Sequence, residues 1–363
     1  MSCILVLGGC GYIGSHTCLT LLEHGHNLIV LDNLSNSSSL VVSRIAQILG
    51  ISEAKITKRL LFIKGDIRDN KVLENIFLKQ FKNKNPIDSV FHFAGLKSVK
   101  ESVLNPKEYW DINVNGTKNI INIMQKYECK TLIFSSSATI YGSSKEKLIP
   151  EYAEIKPINP YGETKVAIEQ LLYKLAGCVK DNFVINNPST KGWKIAILRY
   201  FNPVGAHDSG LIGEAPLGIP NNLFPVISQV SIGLINSLKI FGNDWPTPDG
   251  SAIRDYVHVM DIAEGHYSAL KYLKKSQPHL LTLNLGTGKG TSVIKAVKTF
   301  EKVIKKDINY EIEKRRSGDS AMVVADVSMA KKYLNWEAKR NLYEMSASCI
   351  KWQLSNPKGY LSY

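Results

Sequence analysis

From residue 3 onward the chain alternates short apolar runs with longer amphipathic stretches, and that alternation limits the folds open to it. Residues 3–7, 28–31, 61–63, 89–93, 131–134 and 195–198 are short, apolar and rich in Val, Ile or Phe, which predicts buried strands. Between them, 15–23, 71–79, 114–126 and 161–175 carry helical patterns. Strands that alternate with helices pair in parallel, because each return crossing has to run over a face of the sheet. The reading is an α/β fold: a doubly wound parallel sheet with helices on both faces and right-handed crossovers.

The end of the first strand indicates what the sheet carries. Gly8-Gly9-Cys10-Gly11-Tyr12-Ile13-Gly14 follows it and opens the first helix. Gly8, Gly11 and Gly14 permit a tight turn and a close backbone approach to a pyrophosphate, while the helix start adds free N–H groups and a positive dipole end. A glycine triplet alone is weak, since structural glycine turns are common. Asp32 strengthens it by ending the second strand about 20 residues on, where an acid binds the adenosine ribose hydroxyls. A carboxylate there repels a 2′-phosphate, and no Lys or Arg occurs from Asp32 through Ser43 to neutralise one. The expected cofactor is therefore NAD rather than NADP, in a Rossmann-like domain. Asp66 and Ile67 end the third strand and suit the adenine amino group and face. Phe93-Ala94-Gly95-Leu96-Lys97 ends the fourth, with small residues that let the backbone approach the cofactor.

Tyr161 and Lys165 lie four residues apart behind Pro160, so a helix starting there sets both on one face. A free tyrosine, with a pKa of about 10, is a poor base at neutral pH. A nearby ammonium and the nicotinamide cation would favour its phenolate; a fall of about 3 units asks for roughly 4 kcal/mol. Upstream, Ser135-Ser136-Ser137-Ala138-Thr139 follows a strand, and a serine there is placed to hydrogen-bond a carbinol under oxidation. Singly, each motif is also what an exposed helix or a serine-rich turn shows. Together with the NAD site they form one apparatus for hydride transfer.

The formal net charge of +13 raises nucleic acid or an anionic membrane as partners. Lys and Arg are scattered, however, and runs such as Lys79, Lys82 and Lys84 read as solvated helix faces, so neither is expected. Six cysteines lie far apart, without a CxxC pair or a His at zinc spacing, which points to a reducing compartment and no metal site. With no leader-like start and no apolar run long enough to span a bilayer, a cytoplasmic protein is expected. Two stretches read as surface insertions: 43–58, polar and loosely helical, and 179–192, rich in Asn, Pro and Ser. Beyond Pro203 the alternation weakens. This divides the chain into an NAD-binding domain over 1–202 and a smaller α/β domain over 203–363, with segments near 255–290 returning to the first sheet.

These residues resemble the extended short-chain dehydrogenase/reductase family, and within it the 4-epimerases of UDP-hexoses. The likeness runs from Gly8 to about Tyr360, through blocks at 91–99, 134–142, 159–165, 198–207, 218–225, 241–250, 254–265, 284–288, 315–319 and 356–360. It implies that Tyr12, Ile13, Asp32, Asn33, Asp66, Ile67, Phe93, Lys97 and Asn113 hold NAD beside the glycines, Tyr161 and Lys165, with Phe201 near the nicotinamide. Ser137, Tyr161 and Lys165 become the catalytic set. Lys97, Asn202, Asn222, Leu223, Phe241, Arg254, Arg316 and Asp319 hold the UDP-sugar with Ser137 and Tyr161, and make the second domain the UDP-sugar-binding one. The two arginines suit a diphosphate through charge-assisted bonds. The implied reaction is redox-neutral inversion at C4 through a 4-keto sugar, in a homodimer closed by helices 114–126 and 161–175. The chain departs from many bacterial relatives at Val323, where they carry a large aromatic. Residue size there limits what fits at the sugar's C2, so the resemblance extends the expected range to UDP-N-acetylglucosamine and UDP-N-acetylgalactosamine.

Two rivals fit less well. A 4,6-dehydratase or another nucleotide-sugar enzyme of the family is the nearer, but a dehydratase needs an acid–base pair beside the catalytic serine or threonine, where this chain has Ala138 and Thr139. A non-catalytic NAD-sensing protein on the same fold has no reason to keep Ser137, Tyr161 and Lys165 together.

Overall fold

The computed structural model describes residues 2–178, 186–188, 191–218, 220, 222–316 and 318–361. The first half runs β1 (Cys3–Leu7), α1 (Tyr12–Glu23), β2 (Asn27–Asp32), α2 (Leu40–Ile48), α3 (Glu53–Arg59), β3 (Leu60–Lys64), α4 (Asn70–Lys82), β4 (Ile87–His92), α5 (Val99–Leu104), α6 (Pro106–Tyr109), α7 (Gly116–Lys126), β5 (Thr131–Ser137) and α8 (Pro160–Ala176). The second runs β6 (Asn186–Pro188), β7 (Lys194–Tyr200), β8 (Asn202–Val204), α9 (Leu223–Ser231), β9 (Leu238–Phe241), β10 (Ile253–Arg254), β11 (Tyr256–His258), α10 (Val259–Lys275), β12 (His279–Leu285), β13 (Thr291–Ser292), α11 (Val293–Ile304), β14 (Tyr310–Glu313), β15 (Met322–Val323), α12 (Ser328–Leu334) and α13 (Leu342–Ser355).

The expected α/β sheet is present. Seven parallel strands stand in the order β3-β2-β1-β4-β5-β7-β12, and β6 adds an antiparallel edge on β12. All five residues of β1 are buried, and strand alternation divides them. Ile4 and Val6 join the core under α1 and α10, while Cys3, Leu5 and Leu7 join the one under α4, α7 and α8. Burial of each such side chain contributes about 1.5–3 kcal/mol. A sheet buried on both faces is what a near-continuous apolar strand requires.

The stretch 43–58 is not a surface insertion. Most of it lies in α2 and α3, and Ile45, Ala46 and Ile56 enter the core. Arg44 is buried as well, donating from Nη1 to Leu211 O at 2.9 Å and to Asn356 Oδ1 at 2.5 Å, with its guanidinium 5.1 Å from the Tyr360 ring centroid. The polar letters misled because the apolar residues follow helical spacing and the arginine's partners lie far along the chain. Of the stretch 179–192, residues 179–185, 189 and 190 lie outside the described residues.

After β7 the chain builds three small sheets: β13-β10-β15, β11-β8 and β14-β9. The latter two sit with α9, α11 and α13 around a separate core of Phe224, Ile240, Tyr256 and Phe300. Segments of this half return to the first one: α10 packs on α1, and β12 pairs with β7. The carboxyl ends of β1, β4, β5 and β7 thus open toward the small sheets, where open parallel sheets bind ligands.

Candidate active site

The turn after β1 has no room for side chains. Gly8 has a φ of +74°, and a Cβ there would lie 2.6 Å from Ala94 N; a Cβ on Gly14 would lie 2.3 Å from Gly8 O. The start of α1 is left without a side-chain cap at Gly11, so its first N–H groups face outward at the positive end of the helix. Asp32, at the end of β2, accepts Cys10 N at 2.9 Å, Leu34 N at 2.9 Å and Ser37 Oγ at 2.8 Å. A carboxylate offers about four acceptor positions, so room for about one more bond remains. A bare cradle, an uncapped helix start and an acid at the strand end fit NAD.

The other residues assigned to the cofactor take up different environments. Asp66 accepts Arg68 Nε at 3.0 Å, Arg68 Nη2 at 2.9 Å and Asn33 Nδ2 at 3.1 Å, and the Arg68 guanidinium draws its carboxyl down to about 2. Ile67 is buried against Gly116 of α7. Between α6 and α7 the helix widens into a π turn, Trp110–Asn115, which aims Asn113 inward. Asn113 accepts Leu96 N at 2.8 Å and donates to Leu96 O and Thr164 Oγ1, both at 3.1 Å. It thereby ties the Phe93–Lys97 loop to α8.

The reactive residues converge at the ends of β5 and α8. Asn159 caps α8 by accepting Gly162 N at 2.8 Å, and Pro160 fills its first turn. Tyr161 and Lys165 then point under the sheet end, both buried. Lys165 Nζ donates to Ser135 O at 2.7 Å and lies 5.8 Å from the Tyr161 ring centroid. Ser137 closes β5, its Oγ accepting Thr139 N at 3.2 Å and Thr139 Oγ1 at 3.0 Å. Its proton is therefore left to donate. In the protein alone, burial outweighs the lowering influence of the Ser137 side chain and pushes the Tyr161 phenol up to about 12. The expected lowering by Lys165 is not realised here, because the ammonium is turned to a backbone carbonyl.

The residues assigned to the UDP-sugar form two groups around this point. Lys97 Nζ and Asn222 Nδ2 meet on one carboxylate, Glu214 Oε1, at 3.2 and 2.9 Å. Leu223 begins α9 beside them. On the small sheet, Arg254 and Val323 are partners in parallel register. Arg254 Nη1 donates to Ser320 O at 2.9 Å, and its Nη2 lies 3.6 Å from Asp319 Oδ1. The Arg316 guanidinium stacks 3.7 Å over the Phe241 ring centroid. Val323 packs with the cluster of Ile140, Tyr141 and Phe201, and Asn202 of β8 pairs with Tyr256 of β11. Sequence reasoning missed Glu214, which no local pattern marks, and Glu169, whose place one turn beyond Lys165 was visible.

The comparisons agree with this geometry. The family described as GDP-mannose 4,6 dehydratase matches residues 5–349. The UDP-glucose 4-epimerase of Bacillus subtilis (strain 168) is 46% identical over 359 residues, covering 99% of each chain. Among solved structures, the UDP-glucose-4-epimerase of Stenotrophomonas maltophila, with bound NAD and formylated UDP-arabinopyranose, superposes with a TM-score of 0.90 at 41% identity, covering 98% of this chain and 99% of that one. The enzyme of Bifidobacterium longum, in complex with NAD+ and UDP, gives 0.88 at 41%, covering 99% and 100%. Identity this high over the whole length, with solved structures that superpose over nearly all of the chain, places the chain in the UDP-glucose 4-epimerase family of the extended short-chain dehydrogenase/reductases.

Proposed function

We propose that the chain interconverts UDP-glucose and UDP-galactose with tightly held NAD. The observation that carries this reading is the convergence of Ser137, Tyr161 and Lys165 at the end of β5, in the sheet whose first strand carries the glycine turn, in a chain similar over its full length to UDP-glucose 4-epimerases. Bound NAD supplies a hydride acceptor and donor for C4. Tyr161 takes the proton from the sugar's O4 and later returns it, Ser137 donates to the same oxygen, and Lys165 steadies the phenolate. Arg254 and Arg316 hold the diphosphate while the 4-keto sugar turns over in the pocket. Incubating the purified protein with UDP-galactose should yield UDP-glucose; no product would refute the assignment.

A redox-neutral cycle needs no exchange of cofactor, so NAD should copurify and remain bound through turnover. Release of NADH in step with product, read by its absorbance, would mark a dehydrogenase instead.

A homodimer in a reducing, cytoplasmic setting accompanies this reading. Val103, Leu104 and Trp110 are exposed beside α8, at 61%, 68% and 41%, an apolar surface that suits burial against a second copy. Light scattering at micromolar concentration should give twice the chain mass of 40.4 kDa; the single-chain mass would contradict the dimer. Among the described residues, no helix is long and apolar enough to cross a membrane.

A further inference from the structure

Beneath the reactive pair lies a set of buried charges to which no step of the proposed chemistry has yet assigned a role. Glu169 stands one turn beyond Lys165 on α8, so the two side chains share a face. Its carboxylate accepts Ser136 Oγ at 2.5 Å, Arg199 Nε at 3.0 Å and Arg199 Nη2 at 2.6 Å, and both charged side chains are fully buried. Register sets Ser136 of β5 opposite Arg199 of β7, so the pair pins α8 to the ends of both strands. The neighbouring carbonyl, Ser135 O, is the one that Lys165 binds. Arg199 Nη1 continues to Tyr141 Oη at 2.8 Å and Glu151 O at 2.7 Å. The titratable groups facing the Lys165 site are Tyr161 and Glu169 on its own helix, His92 from β4, and Tyr200 and Arg199 from β7. Among the described residues facing this site, Glu169 is the one carboxylate.

We infer that Glu169, fixed by Arg199, is a positioning residue for the epimerisation proposed above, holding Lys165 charged and aimed at the strand end that carries Ser135 and Ser137. The inference rests on that functional reading. Burial draws the Lys165 amine down to about 8, with the Glu169 carboxylate opposing the fall. As pH rises through that range the amine loses its charge, the phenolate loses support, and activity declines. Without the carboxylate the decline begins at lower pH, by about one unit, the low end of what a nearby opposite charge contributes.

Glu169→Gln by itself leaves a buried, unpaired arginine and can fail to fold. Glu169→Gln/Arg199→Gln removes both charges, and Arg199→Lys retains the carboxylate. In NAD-loaded enzyme, kcat for UDP-galactose is followed from neutral to alkaline pH. The double variant should show its alkaline limb about one unit lower, while Arg199→Lys keeps the wild-type limb. A double variant whose kcat falls equally at every pH, with the limb unmoved, overturns the inference and leaves the pair a packing device. Wild type without turnover at any pH overturns the epimerase reading instead.

Discussion

Tyr161→Phe should lower kcat for UDP-galactose by about 10²–10⁴-fold, the usual contribution of a general acid–base group. The ring stays and only the hydroxyl leaves, so the buried site remains filled and the fold is retained. Ser137 keeps Thr139 N and Thr139 Oγ1 on its oxygen and its proton for the sugar, so the change strands no hydroxyl there. The loss should therefore appear in kcat rather than in the melting temperature. The phenol's position at about 12 in the protein alone sharpens the expectation: burial disfavours the phenolate, and proton removal is enabled only when a positive charge stands beside it. A variant with near-wild-type kcat and an unchanged melting curve would make Tyr161 a bystander.

The second large effect concerns the sugar. Val323 is half-buried on β15, next to Arg254 in register, in the cluster that holds Phe201. Met322, its neighbour on β15, takes the opposite face by strand alternation. Wild type should therefore convert UDP-N-acetylglucosamine to UDP-N-acetylgalactosamine as well as the unsubstituted pair. Val323→Tyr places a phenol where the N-acetyl group would lie, and should cut turnover of the N-acetylated pair by about 100-fold or more while sparing UDP-galactose. Wild type that ignores UDP-N-acetylglucosamine, yet handles UDP-galactose, would mean that the space does not exist. Equal losses on both pairs in the variant would show a general distortion of the small sheet.

Much of the site was legible because its parts are local. Gly8 to Gly14 are contiguous, Asp32 stands at a set distance along one β-α-β unit, and Tyr161 and Lys165 are one helical turn apart. Such spacings translate directly into geometry. The stretch 43–58 shows where this stops: its polar composition suggested a solvated insertion, while Arg44 is buried by Leu211 and Asn356, residues more than 160 positions away. Glu214 was missed for the same reason, since its meaning lies in Lys97 and Asn222 meeting on it.

By itself the sequence determined the alternating α/β sheet, the glycine turn with its acid, and the tyrosine–lysine helix, because strand period, helix period and turn chemistry are properties of neighbouring residues. Only the tertiary structure decided the protonation of that pair and the surroundings of the substrate residues. Burial sets the Tyr161 phenol high, and the carbonyl of Ser135 and the carboxylate of Glu169 set the place of the Lys165 charge. Desolvation and charge pairing depend on what the folded chain brings from β4, β5 and β7 around one point, and no spacing along the chain encodes that distance.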